Sequence, residues 1–272
     1  MEHKLKVVLL GTGNVAYHLA KRLSQLADFV LVQIYGRHLD KAREVAAAVG
    51  SQPEAIDQTK QIAPDADYYI FSVSDSALPT VWDSMPPTSG IWLHTAGSVG
   101  LSLMQPYHTA CGVLYPLQTF SRERLLEWSN LPIYIEAVDE ASRRPIEHLA
   151  RALSPVVYEA TSEQRQQIHL AAVLACNFVN HLLALSEEWM LSHALEPKAL
   201  LPLIEETVAK VKELPAREAQ TGPAKRGDCT TMLKHQTMLE QVNPDLAKLY
   251  ETLSRSIGQM YAPNSNQRLK QR

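Results

Sequence analysis

Residues 4–10 read KLKVVLL and residues 11–16 read GTGNVA. An apolar run of strand length breaks into a glycine turn and passes into the helical segment 17–26. A second apolar run, residues 29–35, ends at Gly36-Arg37-His38. Strand, glycine turn, helix and strand in this order open a dinucleotide-binding fold.

Each small residue of the turn has a physical task. Gly11 lets the chain turn sharply out of the strand. Gly13 leaves no Cβ where a pyrophosphate must approach, and Ala16 lets the helix pack closely on the sheet. The N–H groups of Thr12, Asn14 and Val15 lie around the helix start, where the helix dipole also favours a phosphate. The end of the second strand then separates two cofactors. NAD sites usually carry an Asp or Glu there for the ribose 2′-OH. This chain has Gly36-Arg37, and a guanidinium can hold a 2′-phosphate through paired charge-assisted hydrogen bonds. The expected cofactor is NADP(H), with Arg37 as anchor and His38 or Lys41 as helpers. The plainer reading of Arg37 is a solvated arginine at a helix start.

The 272 residues suffice for two domains. Hydrophobic content of 46% and charged content of 20% are those of a soluble globular chain. A net charge of -3 gives no reason to expect nucleic acid or an anionic membrane. The three cysteines, Cys111, Cys176 and Cys229, form no CxxC and no disulfide framework, which suits a reducing cytoplasm. The N-terminal apolar run is too short for a signal peptide. Residues 168–185 are very apolar but contain His169, Asn177, Asn180 and His181, so they are expected to form a buried helix and not a membrane span.

Short apolar segments continue to alternate with helical ones up to about residue 160. Strands are expected at 68–73, 91–94, up to Pro116, at 132–136 and at 156–159, with helices at 40–49, from 78 and at 143–153. The pattern predicts an α/β fold: a Rossmann-type, doubly wound, mainly parallel sheet over residues 1–160. Ligands in such sheets bind beyond the carboxyl ends of the strands, where Ser72, Val73, Ser74 and then Thr95, Ala96, Gly97 are expected to meet the cofactor. His94 and Ser98 flank the second set, and Tyr115, Gln118 and Thr119 could form a wall. From Thr161 the texture becomes helical. An all-helical substrate and dimerisation domain is expected over 161–262, with helices at 162–194, 197–212, 230–241 and 244–260 and a loop at 214–228. Residues 263–272 read as a disordered tail.

The long helix offers the chemistry facing the cofactor. His169, Cys176 and Asn180 fall on one stripe at about 100° per residue, with Asn177 beside it and small residues around. The catalytic candidates are His169, which could exchange a proton near neutral pH, and Asn177 and Asn180, which could orient a substrate. The same groups could instead bond one another in a core. In the loop TGPAKRGD, residues 221–228, Lys225 or Arg226 could hold an anionic group, or the loop could simply be solvated. Asp228 is the expected N-cap of the helix that follows. His235 reads as a core or surface histidine. No histidine or cysteine spacing suggests a metal, and no nucleophile elbow appears.

GTGNVAYHLA, HTAGS, YPLQTF, HLAAVLACNFVNHL and TGPAKRGD together resemble a bacterial family. It pairs a Rossmann-like N-terminal domain with a helical C-terminal domain of unknown function. The resemblance extends to about Met260. It implies an NADP-dependent oxidoreductase with the architecture of pyrroline-5-carboxylate reductase, ketopantoate reductase and the beta-hydroxyacid dehydrogenases. It further implies an active cleft between domains and a homodimer built through the helical domain. Where beta-hydroxyacid dehydrogenases carry a catalytic lysine, this chain offers His169. Where pyrroline-5-carboxylate reductase has its glycine- and threonine-rich loop, this chain has TGPAKRGD. The expected activity is hydride transfer to or from a small polar carbonyl or imine. An NADP-binding sensor or scaffold without turnover is the alternative. Arg37 speaks against a methyltransferase or flavin protein.

Overall fold

The structure, a computed structural model, describes residues 4–262. The tail expected at 263–272 lies outside the described residues. By packing, the chain divides into two compact units, one up to Ala184 and one from Leu185 onward.

The first unit is built on eight strands: β1 (Leu5–Leu10), β2 (Phe29–Tyr35), β3 (Glu54–Ile56), β4 (Tyr68–Phe71), β5 (Ile91–His94), β6 (Cys111–Pro116), β7 (Ile133–Ala137) and β8 (Val157–Glu159). Their order in the sheet is β3-β2-β1-β4-β5-β6-β7-β8. All neighbours are parallel except β6 and β7. The mainly parallel, doubly wound sheet expected from the alternating segments is therefore present.

Strand β1 sits mid-sheet and is apolar on both faces. Val7 and Leu9 pack on one side with the helices α1 (Asn14–Leu23), α2 (Leu39–Ala47) and α4 (Glu140–Leu153). Val8 and Leu10 pack on the other with Tyr69, Phe71, Trp82 and Trp92, under α3 (Leu78–Asp83). Burial on two faces explains why β1 reads as a continuous apolar run instead of an alternating one. Helix α4 starts three residues before the expected Arg143. The Asp139 side chain accepts from the Ser142 N–H at 2.7 Å and caps the earlier start.

A long helical run leaves the sheet. It comprises α5 (Ser162–Ala172), a π-helical turn at Val173–Asn177 and α6 (Phe178–Ser192). Thr161 and Gln164 form a capping box at its start. The burial expected for this run is not supplied by the described residues. Residues 162–192 have a mean hydropathy of 1.7 over their most apolar window, and none of that window is buried within the chain. Apolar composition demands a cover, and the described residues do not supply one.

In the unit from Leu185 onward, the end of α6 is followed by α7 (Leu201–Glu213), α8 (Ala216–Ala219), α9 (Pro223–Arg226), α10 (Cys229–Val242) and α11 (Pro244–Tyr261). The two short helices lie inside the segment expected to be loop. Gly227, at φ +67°, ends α9 in a left-handed cap, and Asp228 caps α10 by accepting from the Thr231 N–H at 3.0 Å.

Candidate active site

The glycine turn joins three strand ends. Gly11 has φ +134°, and a Cβ there would lie 2.1 Å from the Ser72 carbonyl oxygen, so only glycine lets β1 end against β4. Thr12 reaches the end of β2: a Cβ on Gly36 would sit 2.6 Å from its Cγ2. Gly13 and Asn14 are exposed, and a Cβ on Gly13 would meet nothing within 4 Å. No side chain caps α1 and no acidic residue stands in its first turn. Val15 is half-buried, and Ala16 is fully buried where the helix meets the sheet.

Arg37 and His38 stand exposed beyond β2. Lys41 Nζ pairs with Glu44 at 3.0 Å, and Arg122 pairs with the same carboxylate while donating to the Thr12 carbonyl. The hydrogen bond from Lys41, then the charge of Arg122, hold the Glu44 carboxyl below its ordinary range. An open, uncapped helix start beside exposed basic groups fits a dinucleotide carrying a 2′-phosphate.

The ends of β4 and β5 lie next to this turn. Ser72 is buried, Val73 half-buried and Ser74 exposed. The Thr95 hydroxyl lies 3.3 Å from the Ser72 hydroxyl, and the Thr95 N–H donates to the Phe71 carbonyl at 3.1 Å. Ala96 and Gly97 are buried. His94, fully enclosed, accepts from the Ala96 N–H at Nδ1 at 3.3 Å. Burial, then the charge of Arg165, pushes its imidazole down to about 3, so it stays neutral and structural.

Arg165, on the second turn of α5, is 1% exposed and pairs with Glu136. It also donates to the Ala96 carbonyl at 3.2 Å and to the Val99 carbonyl. Ser162 donates to Glu136 at 2.9 Å and accepts the Leu101 N–H at 3.0 Å. Gln166 donates to the Ser98 carbonyl at 3.1 Å. One helical turn thus pins both sides of Gly97. Sequence reading missed Arg165; its only trace is a charge close to an apolar helical stretch, which is also how a solvated arginine looks.

One turn further, His169 lies over Gly97. A Cβ on Gly97 would come within 2.7 Å of His169 Nδ1 and 3.0 Å of Tyr115 Cζ. The Tyr115 hydroxyl is 3.1 Å from His169 Nδ1. Tyr115 is buried and its phenol is pushed upward, first by burial. Tyr115 was read only as a possible wall residue; its pairing with His169 spans 54 positions, and no local spacing signals it.

The first unit therefore brings together the glycine turn, Arg37, His38, Ser72–Ser74, Thr95–Gly97 and His169. The stripe through His169, Cys176 and Asn180 assumed regular α-helix, and the π turn at Val173–Asn177 interrupts that spacing. Cys176, Asn177 and Asn180 are exposed. Lys225 belongs to the second unit, where Nζ donates to the Gln220 carbonyl at 2.6 Å and lies 5.0 Å from the centre of the Tyr261 ring. Arg226 is exposed, and His235 bonds the Tyr250 hydroxyl at 2.9 Å. Gln118 and Thr119 are exposed on the loop after β6.

A doubly wound sheet with this glycine turn defines a dinucleotide-binding scaffold. The family described as "NADP oxidoreductase coenzyme F420-dependent" matches residues 6–91, and the "domain of unknown function (DUF2520)" matches residues 131–257. A candidate NADP oxidoreductase from Bacteroides fragilis is 38% identical; the match covers 94% of this chain and 98% of that one, with a TM-score of 0.87. The chain belongs to the family that joins an NADP oxidoreductase N-terminal region to a DUF2520 domain, and the cofactor of that family is NADP(H). More distant likenesses show the fold alone. Pyrroline carboxylate reductase from Plasmodium falciparum, solved with NADP bound, is 10% identical over 95% of this chain and all of that one, at a TM-score of 0.59. A reductive aminase from Aspergillus terreus, solved with NADPH and ethyl levulinate, is 13% identical over 93% and 94%, at 0.67. No curated protein matches.

Proposed function

We propose that the chain is an NADP(H)-dependent reductase or dehydrogenase acting on a small polar carbonyl or imine compound. The observation that carries this reading is the placement of His169, a proton-exchanging group, over Gly97 at the end of β5, in the same unit as the glycine turn. Bound NADPH supplies the hydride. The chain's own groups do the rest. The N–H groups around Gly11–Ala16 hold the pyrophosphate, and Arg37 with His38 and Lys41 holds the 2′-phosphate. Ser72–Ser74 and Thr95–Gly97 line the strand ends. His169 gives or takes the proton that balances the hydride at the substrate oxygen or nitrogen. Asn177, Asn180 and Lys225 are the candidates for orienting and charge-pairing a substrate. Imine chemistry is favoured by likeness of fold to a pyrroline carboxylate reductase and a reductive aminase.

The second part of the reading is a homodimer. Leu170, Leu174 and Phe178 are each 55% exposed on one helical run, and side chains of this kind need a partner surface. A second copy of the chain is the proposed cover.

Titrating NADPH and NADH against the purified chain, followed by fluorescence and melting temperature, tests the cofactor half. Arg37→Ala is expected to weaken NADPH at least tenfold and leave NADH nearly unchanged. Failure of both nucleotides to bind overturns the reading. A panel of carbonyl and imine compounds then tests turnover. NADPH binding without oxidation across the panel favours a sensor or scaffold instead. Light scattering at a monomer mass overturns the dimer.

A further inference from the structure

We infer that Tyr115 is a positioning residue: its phenol donates to His169 Nδ1 and so holds the imidazole in the tautomer that carries its proton on Nε2. The inference rests on the proposed role of His169.

The argument is one of satisfied hydrogen bonds. Tyr115 is 8% exposed, and among the described residues its hydroxyl has one hydrogen-bond partner, His169 Nδ1, at 3.1 Å. A phenol carries a single proton, and a neutral imidazole carries one on either ring nitrogen. Two arrangements are open. If Nδ1 holds the imidazole proton, it donates to the phenol oxygen, and the phenolic proton of this buried residue has no other acceptor among the described residues. An unmet buried donor costs about 1–3 kcal/mol. If the phenol donates instead, Nδ1 accepts and every group of the pair is used. The phenol keeps its proton for this purpose, since burial disfavours the phenolate.

The surroundings hold the pair in register. Gly97 presses on the Nδ1–Cγ side of the imidazole, where a Cβ would come within 2.7 and 2.8 Å of those atoms. The carbonyls of Ala96 and Val99, on either side of Gly97, are bound by Arg165 from the same helix that carries His169. Nε2 is across the ring from Cγ, away from Gly97 and from Tyr115. His169 is half-buried. The tautomer fixed by Tyr115 therefore presents an N–H on the edge of the ring that has no hydrogen-bond partner among the described residues, which is what a proton donor to a substrate oxygen or nitrogen requires.

The test needs no substrate. The full chain is labelled with 15N-histidine, and long-range proton–nitrogen spectra are recorded at a pH where histidines are neutral; His169→Gln assigns the His169 signals by their loss. The wild type is expected to show the Nε2–H tautomer for His169. Tyr115→Phe, with its fold checked by circular dichroism, is expected to shift His169 to a mixture of both tautomers. A wild-type Nδ1–H tautomer overturns the inference, and so does a folded Tyr115→Phe chain with an unchanged His169 signal. If Tyr115→Phe does not fold, the wild-type spectrum decides alone. NADPH is titrated into the same samples. Loss of NADPH binding in the wild type strikes at the proposed function and leaves the tautomer result standing. NADPH binding together with an unmoved tautomer strikes at Tyr115 only.

Discussion

Strand β1 and the long helix after residue 162 are both apolar, and they end in opposite conditions. Val7, Val8, Leu9 and Leu10 are wholly enclosed, with 0% exposure each, whereas Leu170, Leu174 and Phe178 are 55% exposed. The strand finds helices and aromatic rings on both faces within its own chain. Among the described residues, the helix finds none along its most apolar stretch. Hydropathy alone therefore reports that a surface must be covered, and the topology decides whether the cover is intramolecular.

The comparison can be broken hardest at Gly11. Gly11→Ala puts a Cβ into the Ser72 carbonyl at a φ that L-residues avoid, and the expected loss is about 3 kcal/mol or more. Urea unfolding measures it; a loss below about 1 kcal/mol would show that β1 and β4 part easily. Arg165→Met is next. It leaves Glu136 without its cation and two carbonyls without donors, at a cost of about 3 kcal/mol. The same experiment reads it, and an unchanged urea midpoint would remove Arg165 as the tie between helix and loop.

A smaller effect is expected from pH. His94 is held neutral in the fold, with its folded value lowered to about 3. The unfolded chain takes up a proton there as pH falls through the ordinary histidine value of about 6.5, and the folded chain does not. Stability from this residue is complete above that value and declines as pH falls from it toward the folded value. The decline is about 2 kcal/mol between pH 7 and pH 5. His94→Leu should flatten this part of the curve; an equal slope in both proteins would refute the assignment. Leu174→Asp should change least within one chain, under about 0.5 kcal/mol, yet it should lower the mass seen by light scattering if a second copy covers the helix. An unaltered dimer would place the contact elsewhere.

The parts legible in the sequence were those built from local order. The turn at Gly11–Ala16, the strands on either side of it and the cap at Asp228 each announce themselves within a few residues, because backbone freedom and capping are local demands. The sheet followed from the alternation of segments. The pairing of Tyr115 with His169 and the grip of Arg165 on Ala96 join positions 54 and 69 apart, and nothing in local spacing encodes such contacts. The π turn escaped for a different reason: the stripe through Asn180 was drawn on an ideal helix, and one wide turn of backbone disturbs it without any glycine or proline to mark the place.

The loop that follows β6 is stitched to the start of α1. Asn14 donates to the Phe120 carbonyl at 2.9 Å, His18 donates to the Ser121 carbonyl at 2.8 Å, and Arg122 reaches back to Thr12. A strap sewn at three points cannot lift without loosening the helix start it is tied to. The amides of this loop and of the first turn of α1 should therefore exchange with solvent as one cooperative patch, and a nucleotide bound at the turn would quieten a stretch of chain a hundred residues downstream.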